Sequence, residues 1–309
     1  MVDLCSMLSI VGIITGVYYI CLNSCYSPKS EITKVENFMY EICQNEPASY
    51  KIKHALNVRN RALIISKWVK CQILFVVFFL FGAICIITKL CDNYFNNYLS
   101  NYIFISIFGM CMSNWTVEFS RSLNFMVEIV SLLHEISDTE DELIKFLNIF
   151  TEKNYYITEY SPFSVIFKTS TIMAIIRRIS YSRQLNLGTN DWRQKLGLVG
   201  CIIRNIVSDA NKLETIGKHG IQRCIEYEIE KLYHIDNITN KLSHTELVNY
   251  VSNQLEKHYT NKLSKIASKY YMKTGFGLGL AKKLDYEMKV FMTNPDNYIN
   301  LIKELLVAN

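Results

Sequence analysis

Chain breakers are scarce: 4 Pro and 12 Gly in 309 residues, against ordinary usage of about 5% and 7%. With so little to interrupt them, long stretches carry apolar residues at helical spacing, and the chain reads as all-α. No internal repeat and no low-complexity segment is visible. The 10 cysteines, at 5, 21, 25, 43, 71, 85, 91, 111, 201 and 224, include no CxxC pair and match neither a zinc site nor a disulfide framework. They read as reduced thiols acting as small buried hydrophobes on the cytosolic side. A net charge of +5 is mild and dispersed, without the clustered basic stripe and interleaved aromatics of a nucleic-acid surface.

Catalytic constellations are missing too. No GxSxG elbow or Ser/His/Asp set can be nominated. The six histidines, at 54, 134, 219, 234, 244 and 258, stand apart, none in an HExxH or similar ligand spacing. Gly275-Phe276-Gly277-Leu278-Gly279 has a helical pattern before it rather than a strand, and Lys282-Lys283 lacks the Ser/Thr of a phosphate loop, so it reads as a helix break. Asp138, Glu140, Asp141 and Glu142 suit the positive end of a helix dipole better than a metal. The chain is accordingly expected not to be an enzyme and to need no cofactor, nucleic acid or small-molecule substrate. Asn114-Trp115-Thr116 and Asn237-Ile238-Thr239 fit the glycosylation acceptor pattern, but both are expected to face the cytosol.

Leu4 to Pro28 lacks charge of either sign, while eight Lys/Arg lie between Lys29 and Lys70. About 20 apolar residues suffice to cross the hydrocarbon core, so Leu8, Ile10, Val11, Ile13, Ile14, Val17, Ile20 and Leu22 are expected to form a membrane anchor. The basic flank keeps the downstream chain in the cytosol and leaves Met1-Val2-Asp3 on the far side. A cleaved signal peptide would want a basic start and a small-residue cleavage site, and Cys21 to Cys25 gives neither.

Residues 29–70 then read as a basic, amphipathic juxtamembrane segment. Ile32, Val35, Phe38, Met39 and Ile42 recur at helical spacing, Asn45-Glu46-Pro47 breaks the pattern, and Lys51 to Lys70 resumes it. That second stretch admits three readings: a groove or helix for an amphipathic partner, a patch for anionic headgroups, or the flank of the anchor leading into a core helix.

Residues 71–309 are expected to form a helical bundle. Within it, Ile73 to Ile87 is an unbroken apolar run, and Tyr102 to Met112 is the apolar part of a second uncharged stretch. Both are short for a bilayer, which favours a central bundle helix and its neighbour over a transmembrane hairpin. Further on, a stripe of Phe125, Met126, Ile129, Val130 and Leu133 predicts a helix, and Ser137 with Glu140, or Thr139 with Glu142, predicts a capping box before Leu143. Residues 151–162 read as a Tyr-rich loop, Ile166 to Ile179 as a helix and Gln184 to Trp192 as polar loop. Two helices through Leu196–Val207 and Ile221–Leu232 are separated by Gly217 to Gly220. Ser243 with Glu246 should cap a long helix reaching Tyr270, and Asn294-Pro295 should open the last one.

An anchor with a three-residue tail, a basic juxtamembrane segment and a helical body resembles the peroxin 3 family. Residues 55–90 are similar to its long apolar helix. Tyr98 to Lys153, with Tyr98-Leu99-Ser100 and the acidic entry to the helix at Leu143, is similar to the next two. Val207 to Tyr233, around His219-Gly220-Ile221-Gln222-Arg223, is similar to a late segment. Where the family has a tryptophan in its partner groove, His54 stands, and the Arg-x-Gln-Leu-Asn stretch is absent after Leu80. The resemblance implies a peroxisomal membrane receptor that supports biogenesis and membrane protein import. Its partner would be an amphipathic helix of the cargo chaperone peroxin 19, met by an apolar groove at Ile52, Leu56 and Val58. The rival expectation is a polytopic protein with three spans and a transport or signalling role.

Overall fold

A computed structural model describes residues 29–43, 48–95, 98–136, 140–154, 167–187, 191–234 and 243–308. All-α is correct for them: every regular element is helical and no strand occurs among the described residues. The proposed anchor lies outside them. In order, the elements are α1 (Lys29–Cys43), α2 (Ala48–Phe95), α3 (Tyr98–Leu133), α4 (Glu140–Lys153), α5 (Thr169–Ile176), α6 (Tyr181–Leu187), α7 (Asp191–Thr215), α8 (Gly217–His234) and α9 (His244–His258). A π turn, Tyr259–Leu263, leads to α10 (Ser264–Ile266), and α11 (Gly275–Thr293) and α12 (Pro295–Ala308) complete the chain.

The 48 residues of α2 make a rod roughly 70 Å long at 1.5 Å per residue. Residues 96 and 97 separate it from α3, and the two helices pack on each other as an antiparallel hairpin. The amino-terminal part of α2 and the carboxyl-terminal part of α3 lie in the bundle. There, α1 and α7 pack against both arms, and α7 in turn carries α5, α8 and α11, while α12 closes on α9 and α8.

The centre of the bundle is the carboxyl half of α3. Leu123, Phe125, Met126, Val127, Ile129, Val130, Leu132 and Leu133 are all enclosed, with Ser122, Asn124, Glu128 and Ser131 buried among them, so this segment is covered on every side, as a helix surrounded by others is. Phe125 meets Phe167 at 5.8 Å and Phe150 at 6.3 Å between ring centroids. Over its described side chains, Ile73 to Ile87 does not take the central place expected of it. Although Leu74 is buried, Phe75 and Phe79 are 72% and 71% exposed, and Val76 and Leu80 are exposed with them.

Buried charge is concentrated on α7. The Arg204 guanidinium stacks 3.5 Å over Trp192, with Nε donating to the Arg178 carbonyl at 2.8 Å. Lys212 Nζ donates to Gln184 Oε1 at 2.6 Å, Ser208 Oγ at 2.7 Å and the Tyr271 carbonyl at 2.9 Å. Asp209 accepts from Thr274 N at 2.7 Å, Thr274 Oγ1 at 2.8 Å and Lys273 N at 3.0 Å. A buried ion is tolerated only when hydrogen bonds replace its water, and here those bonds pin the segment ahead of α11.

Several local expectations are corrected. The glycine cluster opens α11 rather than breaking a helix: Thr274 Oγ1 caps it by accepting from Gly277 N at 3.0 Å. A Cβ at 277 would meet Thr274 Oγ1 at 2.6 Å and Asp209 Oδ2 at 2.7 Å, so glycine is needed for close approach. Gln184 to Trp192 is not all loop, because α6 includes Gln184 and Trp192 is buried in α7. The helix expected to reach Tyr270 ends at Ile266 after the π turn. The Gly217 to Gly220 separator narrows to a break between Thr215 and Gly217, whose φ of 82° suits glycine.

Candidate functional site: an apolar stripe and a histidine pair

Among the described side chains of α2, Ile64, Trp68, Phe75, Val76, Phe79 and Leu80 are exposed large apolar residues; 64, 68, 75 and 79 are spaced by fours and a seven and 76 and 80 flank them, so they share one broad face. At its inner end the stripe is still in touch with the bundle, since Trp68 stacks on Phe276 of α11 at 5.0 Å. Beyond Leu74 it leaves it. Lys70 and Lys89 bracket residues 71–88, which contain no charge. The segment Lys51–Leu80 is long and apolar enough to cross a membrane by length and composition, and only 22% of its most apolar window is buried. A core helix of a soluble bundle would be mostly enclosed.

Ile52, Leu56 and Val58, expected to line a groove, lie against the body of the bundle. Val58 is 0% exposed and belongs to the core, and Ile52 and Leu56 are half-buried against it. The nearby cavity, of about 70 Å³, is polar, lined by Lys53, His54, Asn57, Glu214, Arg223 and Glu226 among others. The periodicity that nominated these residues is real, but in α2 it records the face turned toward α3 and α7.

The histidines are not all isolated once the chain folds. His54 on α2 and His134, just past α3, have ring centroids 5.5 Å apart, and Glu135 lies between them. Its Oε1 is 3.0 Å from His134 Nε2 and 3.4 Å from His54 Nε2. Both rings are anchored at their other nitrogen. His134 Nδ1 lies 2.7 Å from the Ser131 carbonyl, which can only accept, so Nδ1 carries the proton. Arg223 Nη1 donates to His54 Nδ1 at 2.9 Å, and His54 Nε2 faces Asn211 Oδ1 at 3.1 Å. Burial pushes the His54 imidazole down. Burial alone would raise the Glu135 carboxyl, but His134 and His54 more than reverse it and hold it well below the usual carboxylate range. No spacing rule pairs His54 with His134, because the hairpin turns far from both.

No protein-family model matches the chain, and no curated protein and no solved structure matches it significantly.

Proposed function

We propose that this chain is a membrane-embedded helical docking protein, with the outer parts of α2 and α3 set in lipid beside an amino-terminal anchor and the bundle held on the cytosolic face. The observation that carries this reading is the exposure of Phe75, Val76, Phe79 and Leu80 within a run of uncharged residues. Eighteen residues, 71–88, span about 27 Å as helix, close to the roughly 30 Å hydrocarbon core. Lys70 ends the run on one side and Lys89 can extend toward headgroups on the other. Trp68 on α2 and Trp115 on α3, both partly exposed, are the residue type favoured at the boundary between lipid and water.

The docking role rests on the resemblance to peroxin 3, which names an amphipathic helix of a peroxin 19-like chaperone as the partner and the peroxisomal membrane as the location. The three-span topology of the rival reading is thereby combined with a docking body rather than a transport one. Flotation of the full chain with lipid vesicles tests the membrane part. Phe75→Glu with Phe79→Glu should reduce insertion of the hairpin, since each ionised side chain costs about 3 kcal/mol at mid-bilayer. Unchanged carbonate-resistant association of a chain starting at residue 29 and carrying both substitutions would refute it. Binding of a purified peroxin 19 homologue, measured by pull-down against the detergent-solubilised chain, tests the partner separately; no capture at micromolar concentration would remove the peroxisomal version.

A further inference from the structure

We propose that His54, His134 and Glu135 form a binding site for a divalent transition-metal ion of the zinc class, with Asn211 supplying a fourth donor. The position of one proton comes first. Because His134 Nδ1 donates to the Ser131 carbonyl at 2.7 Å, the neutral ring leaves a lone pair on Nε2. That nitrogen is buried and has no hydrogen-bond partner, even though Glu135 Oε1 is only 3.0 Å away. That oxygen is at ion-pair distance without completing a hydrogen bond to Nε2. A lone pair beside a carboxylate oxygen requires a positive charge, and one placed between the three groups satisfies both at once.

The donor set suits a metal on chemical grounds. Two imidazoles and a carboxylate are the ligands that borderline divalent ions prefer, and a ligating histidine ordinarily donates its second ring nitrogen to a carbonyl, as His134 does. The three ligand atoms lie within 4.8 Å of one another; a tetrahedral site with bonds of about 2.05 Å needs them about 3.3 Å apart. Glu135 is already at 3.0 Å from one histidine and 3.4 Å from the other, so closure asks only that the two rings approach each other. Asn211 Oδ1, at 3.1 Å from His54 Nε2, is placed to move with them.

One residue opposes loading. Arg223 donates to His54 Nδ1, which fixes the proton on Nε2, the atom that must bind the ion. Metal entry therefore moves that proton to Nδ1 and displaces the guanidinium. Room exists for it: Arg223 also reaches the Glu214 carbonyl at 3.3 Å and borders the cavity shared with Glu214 and Glu226. The loaded site would join α2, the end of α3 and α7, with Arg223 of α8 as the gate.

The test uses the full chain in detergent, stripped with a chelator and titrated with Co2+, whose visible absorption reports coordination number. One equivalent should bind with a four-coordinate spectrum, be displaced by Zn2+, and raise the unfolding temperature. Glu135→Gln and His134→Ala should weaken binding by at least ~10-fold, and Arg223→Met, which removes the competitor, should tighten it by ~10-fold. Circular dichroism of Arg223→Met keeps the test meaningful where the histidine variants fail to fold. Absence of stoichiometric binding would leave an imidazolium–carboxylate pair and overturn the proposal. So would a sulfur-to-cobalt charge-transfer band, or an affinity indifferent to Arg223→Met.

Discussion

Asp209 and Lys212, one helical turn apart on α7, show what single residues settle. Asp209 takes three donors from Lys273 and Thr274, so Asp209→Ala leaves two backbone N–H groups and the Thr274 hydroxyl without their acceptor and removes the carboxylate whose charge favours the Lys212 ammonium. Removing one member of a buried charged set costs about 3–5 kcal/mol, and the urea midpoint should fall accordingly. Lys212 gives a pH signature. Burial pushes its ammonium down, Arg204 adds to this and Asp209 opposes it, leaving the pKa at about 7 against 10.5 for a free lysine. Between those two values the unfolded chain holds a proton the folded chain lacks, so stability rises with pH across the window and is flat in this term below about 7. Urea midpoints between pH 7 and pH 9 should show that rise, and Lys212→Met should flatten it. Sequence inspection could not find this pair, since an Asp three residues before a Lys on a helix ordinarily reads as a solvated surface pair.

Among the elements, what was legible was local. Ser243 and Glu246 make the capping box their spacing announces, the Ser243 Oγ accepting from Glu246 N and the Glu246 carboxylate accepting from Ser243 N. Likewise, Pro295 opens α12 after Asn294. Ser243→Ala should lower stability by about 1 kcal/mol, read as a small shift of the thermal midpoint. The junction of α7 and α8 is less forgiving. Gly217 sits at a φ of 82°, with Leu284 Cδ2 3.0 Å from where a Cβ would be, and a Cβ at Gly220 would run into the Thr215 carbonyl. Gly217→Ala should cost about 1–2 kcal/mol for the left-handed backbone alone. Gly220→Ala should cost more, because a carbonyl cannot rotate away as a side chain does; comparative denaturation of the two variants checks the order. By contrast α6 was missed, since Tyr181-Ser-Arg-Gln-Leu-Asn-Leu187 is polar enough for a loop. Distant partners stabilise it, among them Gln184 Nε2 donating to the Tyr270 carbonyl at 3.0 Å.

For the molecule as a whole, the ambiguity that hydropathy left was between protein and lipid as the cover for residues 73–87. Both are apolar, so composition reads the same in either, and length pointed to the bundle's centre because it counted only the most apolar stretch. Phe78 is half-buried while Phe75 and Phe79 are open, which gives the helix one face on α3 and another with no protein against it. Neither that face nor the meeting of His54 with His134 could be read from spacing, for both depend on how α2 and α3 are brought together. A membrane hairpin makes a topological prediction at position 91, two residues past Lys89 in the last turns of α2. In sealed membranes, a variant with its other cysteines replaced by serine should be modified at Cys91 only by a reagent delivered to the far side. A cysteine placed at Lys231 on α8, by Lys231→Cys in a chain that lacks Cys91, should react only from the cytosolic side. Reaction at both positions from the cytosolic side before detergent would bring the hairpin out of the bilayer and leave the exposed stripe of α2 to a protein partner.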